Sequence, residues 1–151
     1  MKTTLLILMA VALVGCASPT KYQKEGFTGG YSAKLLEPGT FRVEYSGNSY
    51  TEGSRITDFC FLRCAELTLE NGYKYFRVLS HDVDEARNRI VITVRSKKER
   101  TGISYDHLLN HVREDALIYV PGEGYADFGK DHSFDAQTLS DSIRKKYNLN
   151  P

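Results

Sequence analysis

The sequence predicts an α+β fold: a small, mostly antiparallel sheet with one central helix and a C-terminal helix. Three observations predict it. Residues 41–45, 73–79 and 89–95 carry the alternation or β-branched and aromatic density of strands. Residues 57–71 place apolar side chains at helical spacing, and residues 134–147 do so again at the end of the chain. In chain order these segments read β–α–β–β–(β)–α, which points to helices packed on an antiparallel sheet.

The first element is not part of that fold. Lys2 supplies a positive start, and Leu5 to Val14 run apolar without interruption. The run is about a dozen residues, short of the roughly 18–20 that cross a bilayer. Leu13-Val14-Gly15-Cys16 follows, with Ala17 and Ser18 behind it. This motif resembles a bacterial lipobox. The resemblance implies a diacylglyceryl group on the Cys16 thiol, cleavage before Cys16 and acylation of the freed amine. Residues 1–15 are therefore expected to be a lipoprotein signal peptide. Two or three acyl chains, at roughly 0.8 kcal/mol per buried methylene, hold a domain firmly to a membrane. In enterobacterial lipoproteins an aspartate after the cysteine favours inner-membrane retention. Ala17 stands there instead, so the expected place is the outer membrane, facing the periplasm.

Residues 16–30 are expected to be the acylated cysteine and a flexible tether, since the segment holds Pro19, Gly26, Gly29, Gly30 and mostly polar residues. Coil statistics give such a tether a reach of about 20 Å. Residues 31–151 are then one globular domain, long enough for a modest core.

Within it, Phe41, Val43 and Tyr45 share one strand face, framed by Pro38-Gly39 and Gly47-Asn48 as turns. The next helix starts between residues 51 and 57 and ends at Asn71-Gly72, where Gly72 suits a left-handed cap. Ile56, Cys60, Cys64 and Leu67 line its apolar stripe with Phe59 alongside, and Arg63, Glu66 and Glu70 fall on polar positions. Tyr73, Tyr75, Arg77 and Leu79 share a face of the next strand. Residues 80–88 read as a charged connection to the strand at 89–95. Residues 101–114 fit a helix poorly because of Gly102 and Asn110. Residues 116–120 read as a short strand stopped by Pro121-Gly122. The closing helix is capped by Ser133 or Asp135, turns Leu139 and Ile143 inward, and ends in Arg144-Lys145-Lys146, which complements its dipole.

Gly30-Tyr31-Ser32, Phe41-Arg42-Val43 with Gly47-Asn48, and Arg63-Cys64-Ala65-Glu66-Leu67-Thr68-Leu69-Glu70-Asn71-Gly72-Tyr73 resemble a family of small proteobacterial envelope lipoproteins. The likeness covers about residues 28–80, and Phe134-Asp135-Ala136 is similar to that family's closing element. It implies a lipid-anchored envelope protein with a β–α–β core. It carries no catalytic residue over, and residues 97–132 depart from it.

Composition narrows the partners. Lys and Arg number 20 against 19 Asp and Glu, and only Lys2 leaves with the leader. A near-neutral, mixed surface argues against nucleic acid and strongly anionic polymers. An envelope protein or a cell-wall component remains as a partner. Ten tyrosines and no tryptophan suit a sheet with half-exposed phenols. Tyr22, Phe27, Tyr31, Tyr45, Tyr50, Tyr73, Tyr75 and Tyr125 are candidates for a stacking surface, or for core and sheet-edge places.

Four constellations bear on chemistry. Cys60 and Cys64, one helical turn apart, are core residues, a bridge or a redox or metal pair. Their Cα atoms would lie about 6 Å apart with poorly directed Cβ atoms, and a mid-helix stripe favours core. His107 and His111 have the i, i+4 spacing of zinc sites, with Asp106, Glu114, His81, Asp82 or Asp84 as third ligands. The glutamate of H-E-x-x-H is missing, and two histidines on a doubtful helix also suit a solvated surface. Residues 124–131 resemble a phosphate-binding loop, but Asp131 replaces its hydroxyl residue and would repel phosphate. Glu66, Glu70, Asp82, Asp84 and Glu85 offer acid–base pairs, and Glu66 with Glu70 most simply forms a solvated helix edge. No nucleophile elbow is present. The expectation is a non-enzymatic binding or structural module without a cofactor. The alternative is a metal-binding or thiol-active periplasmic protein using His107/His111 or Cys60/Cys64.

Overall fold

The computed structural model describes residues 18–100, 103–104 and 132–150. Its sheet has the order β1-β2-β4-β3-β6-β5. The strands are β1 (Gly30–Glu37), β2 (Thr40–Ser46), β3 (Tyr75–Asp84), β4 (Arg89–Lys97), β5 (Ile103–Ser104) and β6 (His132–Asp135). All pair antiparallel except β5 with β6. Helix α1 (Gly53–Glu70) crosses one face, and α2 (Ala136–Lys146) packs beside it. The α+β class, the mostly antiparallel sheet and both helices are as the sequence predicts.

The register places Phe41, Val43 and Tyr45 opposite Val94, Ile92 and Ile90, and all six are buried under α1. The stripe Ile56, Phe59, Cys60, Cys64 and Leu67 is buried too, as are Leu139 and Ile143 of α2. Each fully buried large apolar side chain stabilises the fold by about 1.5–3 kcal/mol relative to exposure. Helix α1 is covered on more sides than one stripe implies: Thr57, Asp58, Phe61, Leu62, Ala65 and Thr68 are also buried. Phe61 meets the Phe76–Phe134 stack, and α2 covers the flank. Thr68 stays satisfied there, donating to the Cys64 carbonyl (2.8 Å) and sharing a 3.0 Å bond with Ser96.

The end of α1 is the cap expected at Asn71-Gly72. Gly72 takes φ +75°, and the Gly72 and Tyr73 amides donate to the carbonyls of Leu69 and Thr68. That pair of bonds closes a Schellman turn. Asp135 caps α2, accepting from the Thr138 amide at 2.9 Å.

Two expectations change. Residues 80–84 are strand, not connection. A bulge at Leu79 shifts the alternation, so β3 continues as a polar, exposed ribbon to Asp84, and only the one-turn helix Glu85–Arg87 and left-handed Asn88 join it to β4. Residues 18–29 are not a flexible tether but an arm folded onto the domain, and Gly30 already opens β1. The Thr20 amide donates to Thr51 Oγ1 (2.8 Å), and its own hydroxyl donates to the Thr28 carbonyl (2.7 Å) while accepting from the Asn48 amide (3.0 Å). Asn48 Nδ2 holds the Ser18 carbonyl at 2.7 Å, and the buried Tyr45 hydroxyl donates to the Lys21 carbonyl at 2.9 Å. Gly29 permits this approach: at φ +98°, a Cβ there would lie 2.4 Å from the Ser46 carbonyl oxygen. The arm's partners lie far away in sequence, which is why its composition alone reads as coil.

Candidate functional site

A set of linked charged side chains gathers where the arm, α1 and α2 meet. Glu66, its side chain only 14% exposed, is the hub. It accepts from the Tyr22 hydroxyl, from Arg63 Nη1 at 3.0 Å and from Arg144. Arg63 also grips Glu70 with two bonds of 2.7 and 3.2 Å, and its guanidinium lies 5.0 Å from the Tyr31 ring centre. Although burial opposes charge on Arg63, the carboxylates of Glu70 and Glu66 raise its pKa further above an already basic value. Burial, reinforced by Glu66, pushes the Tyr22 phenol up, so it stays a neutral donor. The group surrounds an open depression of about 490 Å³. Its helix edge is a network, not the solvated pair expected of Glu66 and Glu70.

A second ionic contact lies further up α1. Asp58, its side chain 3% exposed, accepts from Lys146 Nζ (3.0 Å) and from the Tyr147 hydroxyl (2.7 Å). Burial raises its carboxyl pKa, against the lowering effect of both donors. Arg55 lies over Tyr147 at 5.1 Å, and Phe59 meets Tyr147 edge-on at 4.8 Å. The basic end of α2 therefore does more than complement its dipole. Arg144 and Lys146 tie α2 to α1.

Cys60 and Cys64 are free thiols, both fully buried between helix and sheet. Burial, with a further contribution from Cys64, pushes the Cys60 thiol well up. Its Sγ sits 3.7 Å from the Val43 carbonyl. Thiolate chemistry needs the opposite environment, an exposed sulfur beside positive charge. Cys16, His107, His111, Asp106, Glu114, Tyr125, the 116–120 strand and the 124–131 loop lie outside the described residues. His81, Asp82 and Asp84 sit on the outer half of β3. Among the described residues no three His, Cys, Asp or Glu side chains group as a metal would require.

Among the described tyrosines Tyr45 is buried, and Tyr22, Tyr31 and Tyr147 pack half-buried against the core. Tyr22 packs on Tyr31 (5.0 Å) and Phe59 (5.3 Å), and Tyr45 meets Phe59 at 5.5 Å. Phe27 and Tyr50 remain strongly exposed. Sequence reasoning missed the Asp58–Lys146–Tyr147 contact, although a lone acid between Thr57 and Phe59 on an apolar stretch was a usable signal. Arg144 with Glu66 gave none, because 78 positions separate them.

The chain matches no protein-family model, no curated protein and no solved structure.

Proposed function

We propose that the chain is a membrane-anchored envelope lipoprotein, acylated at Cys16, which acts as a non-enzymatic binding or structural module at the periplasmic face of the outer membrane. The observation that carries this is Leu13-Val14-Gly15-Cys16 behind a basic start and an apolar run too short to span a bilayer. The likeness of residues 28–80 to envelope lipoproteins agrees with it. Among the described residues no helix is long and apolar enough to cross a membrane.

The charged hub supports a structural use. Glu66 accepts from Tyr22 of the arm, Arg63 of α1 and Arg144 of α2, and Asp58 accepts from Lys146 and Tyr147 at the end of α2, so both carboxylates hold separate elements together. Anchoring then adds to weak contacts by confining the domain to a thin layer of high effective concentration.

The test is metabolic labelling with an alkyne fatty acid in a bacterial host, followed by envelope fractionation. Label on the wild-type chain that disappears in Cys16→Ser, with the protein in the outer-membrane fraction, is the expected result. An unlabelled wild-type chain recovered as a soluble periplasmic protein would sink the proposal.

A further inference from the structure

The packed arm decides how close the domain lies to its anchor. Cys16 precedes Ser18 by two residue steps, which at roughly 3.3–3.6 Å each allow about 7 Å. From Ser18 onward the backbone is pinned to Asn48 and Thr51. The anchor thus joins one end of the sheet, where β2 finishes at Ser46, β4 begins at Arg89 and α1 begins at Gly53.

That same end carries two exposed aromatic side chains the fold does not use. Phe27 is fully exposed (104%) at the tip of a turn closed by reciprocal Gly26–Gly29 backbone bonds of 3.2 and 3.1 Å. The turn is one hydrogen bond from the pinned arm, through Thr28 and Thr20. Tyr50 is 55% exposed, and its amide donates to Asn48 Oδ1, on the residue that holds Ser18. A rigid tip that holds a phenyl ring in water has no reason in the packing of the domain. Aromatic side chains favour the membrane interface, and apolar groups of surface-bound proteins bury roughly 5–10 Å into the headgroup–acyl boundary.

We propose that this end of the domain is a bilayer-contacting surface, with Phe27 inserted at the headgroup–acyl boundary and Tyr50 beside it. This inference rests on acylation of Cys16. Lys24 and Glu25 precede the turn with opposite charges, so the contact is apolar rather than electrostatic. The strands then stand away from the membrane, and the opposite end, with Gly72 and the start of α2, faces the periplasm.

The chain has no tryptophan, so a single one becomes a depth reporter. Phe27→Trp and, as the far-end control, Gln137→Trp are purified as full chains from a host that processes lipoproteins. Their acylation is read by mass spectrometry, and they are reconstituted into vesicles containing lipids brominated at known acyl depths. The expected result is blue-shifted emission from the residue-27 tryptophan, quenched most by shallow bromines and unchanged by high salt, with no quenching at residue 137. Acylated protein with both reporters unquenched would overturn the surface and leave the lipoprotein reading standing. Protein without acyl groups that stays off vesicles would overturn both.

Discussion

Replacing Thr20 by valine tests the strap that holds the arm. Thr20 is 2% exposed, and valine keeps its branched shape while deleting the hydroxyl. Two bonds disappear, to the Thr28 carbonyl at 2.7 Å and from the Asn48 amide at 3.0 Å. Neutral hydrogen bonds contribute about 1 kcal/mol each, so the closed arm should lose about 2 kcal/mol. At 1.4 kcal/mol per factor of ten, that is roughly a 30-fold rise in the open population. The assay is limited trypsin digestion at Lys21 and Lys24, with amide exchange of Glu25 and Tyr31. Those two amides donate to the Tyr31 and Gln23 carbonyls, joining the arm to β1, and report its opening directly. Core amides of β2 and β4 should exchange as in the wild type, because the valine touches neither pairing. Equal cleavage and equal exchange in the two proteins would refute the strap and restore the flexible tether.

Three further outcomes follow from the same contacts. Glu66→Ala leaves Arg144 without its carboxylate and Tyr22 without its acceptor, and should cost about 3 kcal/mol in urea titrations; a loss below a tenth of that would mark the hub as solvated. Cys60 and Cys64 should resist a maleimide in the folded protein and both react once urea unfolds it, whereas rapid native labelling would expose an open thiol. Asp58, with its carboxyl pKa raised by burial, binds a proton in the folded state that the unfolded chain has released. Its contribution to stability therefore falls as pH rises from the ordinary carboxylate range through its raised native value. Asp58→Asn should lack that decline, and parallel stability curves for the two proteins would contradict it.

The sequence made legible whatever depends on neighbours. Strand β2 declares itself because Phe41, Val43 and Tyr45 alternate with Arg42 and Glu44, and the α1 cap because Gly72 takes its left-handed φ without the strain of a Cβ. Edge strand β1 was missed: residues 33–37 are exposed, so no burial imprints an alternation on them. The outer half of β3 was hidden by the bulge at Leu79, which no local pattern signals. The arm and the ionic hub were illegible for a different reason. Thr20 answers to Thr51 across 31 positions, and Tyr22 to Glu66 across 44. Polar side chains in a Gly-containing segment look like solvated coil until their distant acceptors are known.

The seat of α2 against α1 also governs the order of assembly. Asp58 finds Lys146 and Tyr147 across 88 and 89 positions of chain, so one flank of α1 stays uncovered until the final helix has been delivered. Contacts of such separation form late because the loop entropy must be met first. Docking of residues 136–147 is thus the step that closes the flank of α1, and a chain that has formed only its sheet and α1 still leaves Asp58 without the two donors that satisfy its carboxylate.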